Sequence, residues 1–173
     1  ALLNAYPLLF VDLAAYLQHT VHWRHPWDKT AGYGLFLLGF HWGITLWLPL
    51  AAQGLLTSAL LWLTQRVATG AVTPMRHVAL CSGLALLTSA PWFASMMMPD
   101  ILSGWTVLCL FLLGFGEKRL TRAEMAFAGA LGAASIAVHL THLAIAGGLV
   151  VVLLLLRRRL RPALRAAAPV AAA

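Results

Sequence analysis

The chain has 173 residues, 61% hydrophobic and 10% charged, whereas a soluble domain runs at roughly 45–50% apolar and about 25% charged. A water-soluble globule is excluded, and since a membrane span needs about 20 residues, the length holds at most about six spans with short connections and no sizeable extramembrane domain. The formal charge of +7, from twelve Lys and Arg against five Asp and Glu, gathers at the ends of apolar runs, where it reports orientation rather than nucleic-acid binding.

Residues 1–44 carry Asp12, Arg24, Asp28 and Lys29 among aromatics and histidines, with Pro7 and Pro26 to break any long helix. They are expected to form an external loop with short interfacial or half-inserted helices. His19, His22 and His25 recur every three residues, but on a helix they fan too widely for a zinc site. With Trp23, Arg24 and Trp27 they read as a segment lying against lipid headgroups. The uncharged stretch 31–64 is too long for one span, which predicts a half-buried segment over 33–42 and a full span over 45–63.

Apolar runs follow at 77–95, 101–115 and 125–156, with basic connections at Arg66 and Arg76, at Lys118, Arg119 and Arg122, and at Arg157 to Arg165. All three connections are expected on the cytoplasmic side. The last run has basic residues at both ends, so it must cross an even number of times. A hairpin is predicted there, turning near His139-Leu140-Thr141-His142 on the external side, with short arms that tilt or local thinning accommodates. Ala126, Ala130 and Ala134, and likewise Gly129 and Ala133, recur four apart and predict close helix packing. Trp42, Trp47, Trp92 and Trp105 are expected at the external interface. Residues 45–156 thus form a bundle of about five transmembrane helices, all-α, and 157–173 a basic, Ala-rich cytoplasmic tail without fixed structure. Cys81 and Cys109 show no CxxC spacing, so neither a disulfide framework nor a zinc knuckle is indicated. The chain begins at Ala1 with no signal of the cleavable pattern, and a missing start is expected.

This topology gathers Asp12, Asp100, His139 and His142 on the external side. Ionisable groups near a bilayer are costly, which favours a site facing a protein interior or a wet cavity. Asp100 follows Pro99 at a predicted helix start, where an acid also complements the helix dipole, and Asp12 could equally cap a short helix. His139 and His142, three apart, share one face or turn; neutral they could ligate a metal or haem, protonated they could hold a phosphate. Met96, Met97 and Met98 read as adaptable packing rather than a copper site.

The segments Phe10-Val11-Asp12-Leu13-Ala14-Ala15-Tyr16, Ala31-Gly32-Tyr33-Gly34-Leu35-Phe36-Leu37 and Leu46-Trp47-Leu48-Pro49-Leu50-Ala51-Ala52-Gln53-Gly54-Leu55-Leu56 resemble the opening of GT-C membrane glycosyltransferases. Met98-Pro99-Asp100 and His139-Leu140-Thr141-His142 are similar to motifs of bacterial members of that group. The resemblance implies an inner-membrane enzyme that uses a polyprenyl-phosphate-linked sugar donor. Asp12 would be the base that deprotonates the acceptor, with Asp100 supporting the acceptor or a metal. Arg24, His139 and His142 are candidates for the lipid phosphate on charge and side alone. Members of the group carry a further span before the acidic loop and more chain afterwards, which this sequence lacks, so a fragment or a reduced relative is expected. Two other classes compete: a non-catalytic subunit at the periphery of a respiratory or photosynthetic membrane complex, and a haem- or pigment-binding subunit with His41, His139 or His142 as axial ligand. No metal-binding residues are assigned.

Overall fold

The computed structural model describes residues 5–22 and 30–156. Arg24, with its Trp and His neighbours from 23 to 29, and the basic tail from 157 lie outside the described residues. Among the described residues the fold is made of eight α-helices and no strands: α1 (Leu13–His22), α2 (Ala31–His41), α3 (Trp47–Thr69), α4 (Pro74–Leu87), α5 (Ala90–Ser95), α6 (Ile101–Phe115), α7 (Arg122–Val138) and α8 (Leu140–Leu156). Among them α3 is long and apolar enough to cross a bilayer, while α4, α6 and most of α8 are apolar but shorter.

Local chemistry sets the boundaries. α3 runs six residues past the predicted span end, because Thr64, Gln65 and Arg66 lower hydropathy without opposing a helix. It stops at Gly70, whose φ of 87° provides a left-handed cap and whose N–H bonds to the Arg66 carbonyl. The apolar run 77–95 is two helices rather than one. Thr88 adopts an extended conformation, its hydroxyl bonds back to Leu84, and Pro91 opens the next helix. α7 starts on a capping box in which Thr121 and Glu124 satisfy each other's backbone N–H.

The core centres on α6, whose Leu102, Trp105, Thr106, Cys109, Leu110 and Leu112 are all buried. α7 packs antiparallel to α6. α8 then runs parallel to α6, since Ser103 meets His142 near both N-termini and Leu153 lies where a Cβ on Gly114 would meet it near both C-termini. The chain therefore doubles back at His139, forming a helical hairpin. The small-residue contact on α7 uses Ala128, Gly132 and Ser135, not the predicted Ala126, Ala130 and Ala134, which are exposed. Both stripes have helical spacing, and spacing alone does not say which one meets a neighbour. Trp105 also departs from expectation. It is 1% exposed within the bundle, its indole N–H donating to Thr57 Oγ1 at 2.9 Å, so its one polar atom is satisfied away from any interface.

The two ends of the bundle differ in charge. Arg66, Arg76, Lys118, Arg119 and Arg122 share one end, held by an Arg66–Glu124 ion pair of 2.5 Å and by Arg119 Nη1 donating to the Val67 carbonyl at 2.6 Å. Asp12, Asp100 and the His139 turn occupy the other.

Candidate functional site

At the acidic end the chain makes a short parallel pairing outside any helix. Leu8 bridges to Met96; its N–H donates to the Ser95 carbonyl at 3.3 Å, and Met97 N–H donates to the Leu8 carbonyl at 2.9 Å. Each segment runs on into a helix start, with Asp12 just before α1 and Asp100 just before α6. The pairing thus brings the two acid-bearing segments alongside each other in the same direction. Asp100 is exposed and makes no side-chain capping bond, and Pro99 stands one residue before the cap rather than in the first turn. The carboxylate is accordingly not consumed in ending the backbone. Asp12 is half-buried, and its carbonyl accepts from Ala15 and Tyr16 N–H.

Non-helical backbone inside an apolar bundle must find its partners within the protein. Gln53, fully buried on α3, meets that demand: its Nε2 lies 3.0 Å from the Met96 carbonyl and 3.4 Å from those of Phe93 and Ala94, while its Oε1 accepts from the Tyr33 hydroxyl at 3.4 Å. Tyr33 in turn packs edge-on against Tyr16 of α1, with ring centroids 5.1 Å apart. One buried amide therefore ties the Asp100 segment to α2, and through α2 to the helix that Asp12 begins.

His139 and His142 are neighbours, their ring centroids 5.6 Å apart, but their environments differ. His139 is exposed, and its Nδ1 lies 2.8 Å from the Thr141 hydroxyl and 3.4 Å from the Thr141 N–H, which leaves the proton on Nε2. His142 is 2% exposed. Its Nδ1 faces the Ser135 carbonyl at 2.6 Å and so carries the proton, while Nε2 lies 2.7 Å from Ser103 Oγ. Both nitrogens of His142 are engaged within the chain. Asp100 stands one turn before Ser103, the residue whose hydroxyl meets His142. The structure thus brings Asp100, His139 and His142 together at one end, with the Asp12 segment paired beside them. Arg24 lies outside the described residues.

His41, the other candidate axial ligand, is buried with Nδ1 accepting from Gly43 N–H at 2.8 Å and Nε2 3.2 Å from Thr20 Oγ1. Among the described residues no group of three His, Cys, Asp or Glu side chains is placed to hold a metal ion. Met97 is fully buried packing, as a thioether in a core would be.

Two cavities lie away from this end. One of about 560 Å³ sits between the start of α7 and the end of α6, lined by Leu113, Met125, Ala126 and Gly129 with Glu117 and Arg122. The other, of about 460 Å³ between α3, α4 and α7, is lined by Leu55, Ser58, Trp62, His77 and Phe127. In that second cavity His77 Nε2 lies 2.9 Å from Ser58 Oγ and 3.5 Å from Cys81 Sγ.

Sequence reasoning missed Gln53, Tyr33 and Ser103 as members of the acidic-end network. Gln53 carried a readable signal, as an amide within an uncharged span. Ser103 carried none, since its role depends on a partner from another helix. The chain matches no family model, no curated protein and no solved structure. The glycosyltransferase resemblance therefore rests on the short motifs alone.

Proposed function

We propose that the chain is a GT-C-like membrane glycosyltransferase, or a fragment of one, acting at the acidic end of a bundle of about five transmembrane helices. α3, the α4 and α5 pair, α6, α7 and α8 would be the spans, in a bacterial inner membrane with the basic end cytoplasmic. The exposed apolar faces support membrane embedding: α4 buries no residue of its own, and Leu55, Met75, Leu86, Leu87, Val151 and Leu155 lie on the outside. The parallel pairing of Leu8 with Met96 carries the reading, because it puts two acid-bearing helix starts side by side next to an imidazole pair.

In this reading Asp12 takes the acceptor proton and Asp100 orients the acceptor. The exposed His139, with Nε2 as donor, meets the phosphate of the polyprenyl donor as it leaves. His142 holds the turn instead of touching the phosphate. The test is transfer of labelled sugar from a polyprenyl-phosphate donor to endogenous acceptors, in vesicles carrying the protein. Asp12→Asn is expected to abolish transfer at unchanged protein level; wild-type transfer by both Asp12→Asn and Asp100→Asn would refute the reading.

A second reading, a non-catalytic subunit packed at the edge of a larger respiratory or photosynthetic assembly, is favoured by one observation. The exposed Ala126, Ala130 and Ala134 face of α7 offers close approach to another helix. It predicts that the protein leaves its native membrane in mild detergent as a unit much larger than the isolated chain. A haem or chlorin band in that unit, absent from the isolated chain, would assign pigment to the host.

A further inference from the structure

Ser103 and His142 are joined in a way that the transferase reading does not use. A serine hydroxyl becomes a nucleophile when a base lies within hydrogen-bond reach and a third group fixes that base. Both conditions are met here. His142 Nε2 is 2.7 Å from Ser103 Oγ, and Nδ1 is 2.6 Å from the Ser135 carbonyl. A carbonyl only accepts, so the proton sits on Nδ1 and the Nε2 lone pair faces the hydroxyl. The two residues lie in the first turns of α6 and α8, whose positive dipole ends favour negative charge developing beside them.

Access is open as well. His142 is buried, but Ser103 is half-buried, and a Cβ on the adjacent Gly104 would meet nothing within 4 Å. Val107, one turn on along the same face of α6, and Leu143, beside His142, are both exposed. The approach to the hydroxyl is apolar on the side of Val107 and Leu143, while the exposed Asp100, one turn before Ser103, borders it on the other. The other serine–histidine pair lacks the orienting group, since His77 Nδ1 is buried with no hydrogen-bond partner.

We propose that Ser103 is an activated nucleophile with His142 as its base, serving acyl transfer from a carboxylic ester with an apolar acyl chain. Ser103 Oγ attacks the ester carbonyl carbon, and its proton passes to His142 Nε2 as the carbonyl electron pair moves onto oxygen. Collapse breaks the bond to the leaving alkoxide, which takes the proton from Nε2 and departs as the alcohol. The acyl-serine is released by water or a second alcohol through the same steps in reverse. This inference stands apart from sugar transfer, and its test uses no sugar.

The purified full chain in detergent is treated with an alkyl fluorophosphonate, whose phosphorus the serine would capture with loss of fluoride, and the product is read by intact mass and peptide mapping. One adduct at Ser103 is expected, absent in Ser103→Ala, unchanged in Ser58→Ala and at least tenfold slower to form in His142→Gln. No adduct at Ser103 in the wild type, or equal labelling of His142→Gln, would overturn the proposal. Should His142→Gln fail to fold, Ser103→Cys takes its place. Alkylation of that thiol is expected to persist well below pH 8, and a profile following an ordinary thiol of pKa about 8.5 would count as refutation.

Discussion

The two ends of the bundle are stitched by different chemistry. At the acidic end, buried neutral side chains satisfy buried backbone: Gln53 serves the carbonyls before Asp100, and His142 joins Ser135 to Ser103. At the basic end the ties are largely charges near the surface, the Arg66–Glu124 pair and Arg119 on a carbonyl, while Thr64 Oγ1, Gln65 Oε1, Arg66 Nε and His77 Nδ1 are buried without hydrogen-bond partners. A satisfied network in a low dielectric fixes one geometry, whereas surface ion pairs contribute little and respond to salt. The contrast teaches that the acidic end is built to hold positions, while the basic end is tied by contacts that salt can loosen.

Four substitutions would break or sharpen this contrast, all read by thermal unfolding in detergent. His142→Ala should cost most, about 2–4 kcal/mol, because it opens a cavity and orphans the Ser135 carbonyl. The matching His77→Ala should cost about 1 kcal/mol or less, since that ring already leaves a nitrogen unpaired; equal losses would erase the distinction. Gln53→Leu should cost about 1–3 kcal/mol through the unpaired Met96 carbonyl and Tyr33 hydroxyl. Gly32→Ala should cost about 1–3 kcal/mol, because the new methyl would sit 3.0 Å from Val138 Cα and push α2 off the hairpin turn.

The smallest effect belongs to Glu124, on the loop side of α7. The Arg66 guanidinium beside it, helped by the Thr121 N–H and hydroxyl, holds its carboxyl below the usual carboxylate range against the opposing pull of burial. A folded value below the unfolded one gives stability that is complete above about pH 4.3 and is lost as pH falls through the folded value. Glu124→Gln should remove that acid-side loss and cost at most about 1 kcal/mol at neutral pH. High salt should shrink that cost while leaving the Gln53→Leu loss unchanged.

The break near His139 was expected from the basic residues at both ends of 125–156, and the structure has two helices there, α7 and α8, meeting at His139. The helix starts at Asp12 and Asp100 were legible from local chemistry. What sequence could not supply was choice among equivalents. Two small-residue stripes on α7 both have helical spacing, and Trp105 reads like Trp42, Trp47 and Trp92 until Thr57 comes from another helix to meet it. The Thr121 and Glu124 capping box, by contrast, is a local backbone signature that the sequence carries outright. The pairing of Leu8 with Met96 had no signature at all, being a contact between distant segments without strand patterning.

That contact also orders events during synthesis. The segment bearing Asp12 is made before its backbone partner, which follows only after α2 to α5 have been translated. Until then Leu8 lacks its native backbone partners at Ser95 and Met97, and translation pausing upstream of Ser95 would prolong that interval.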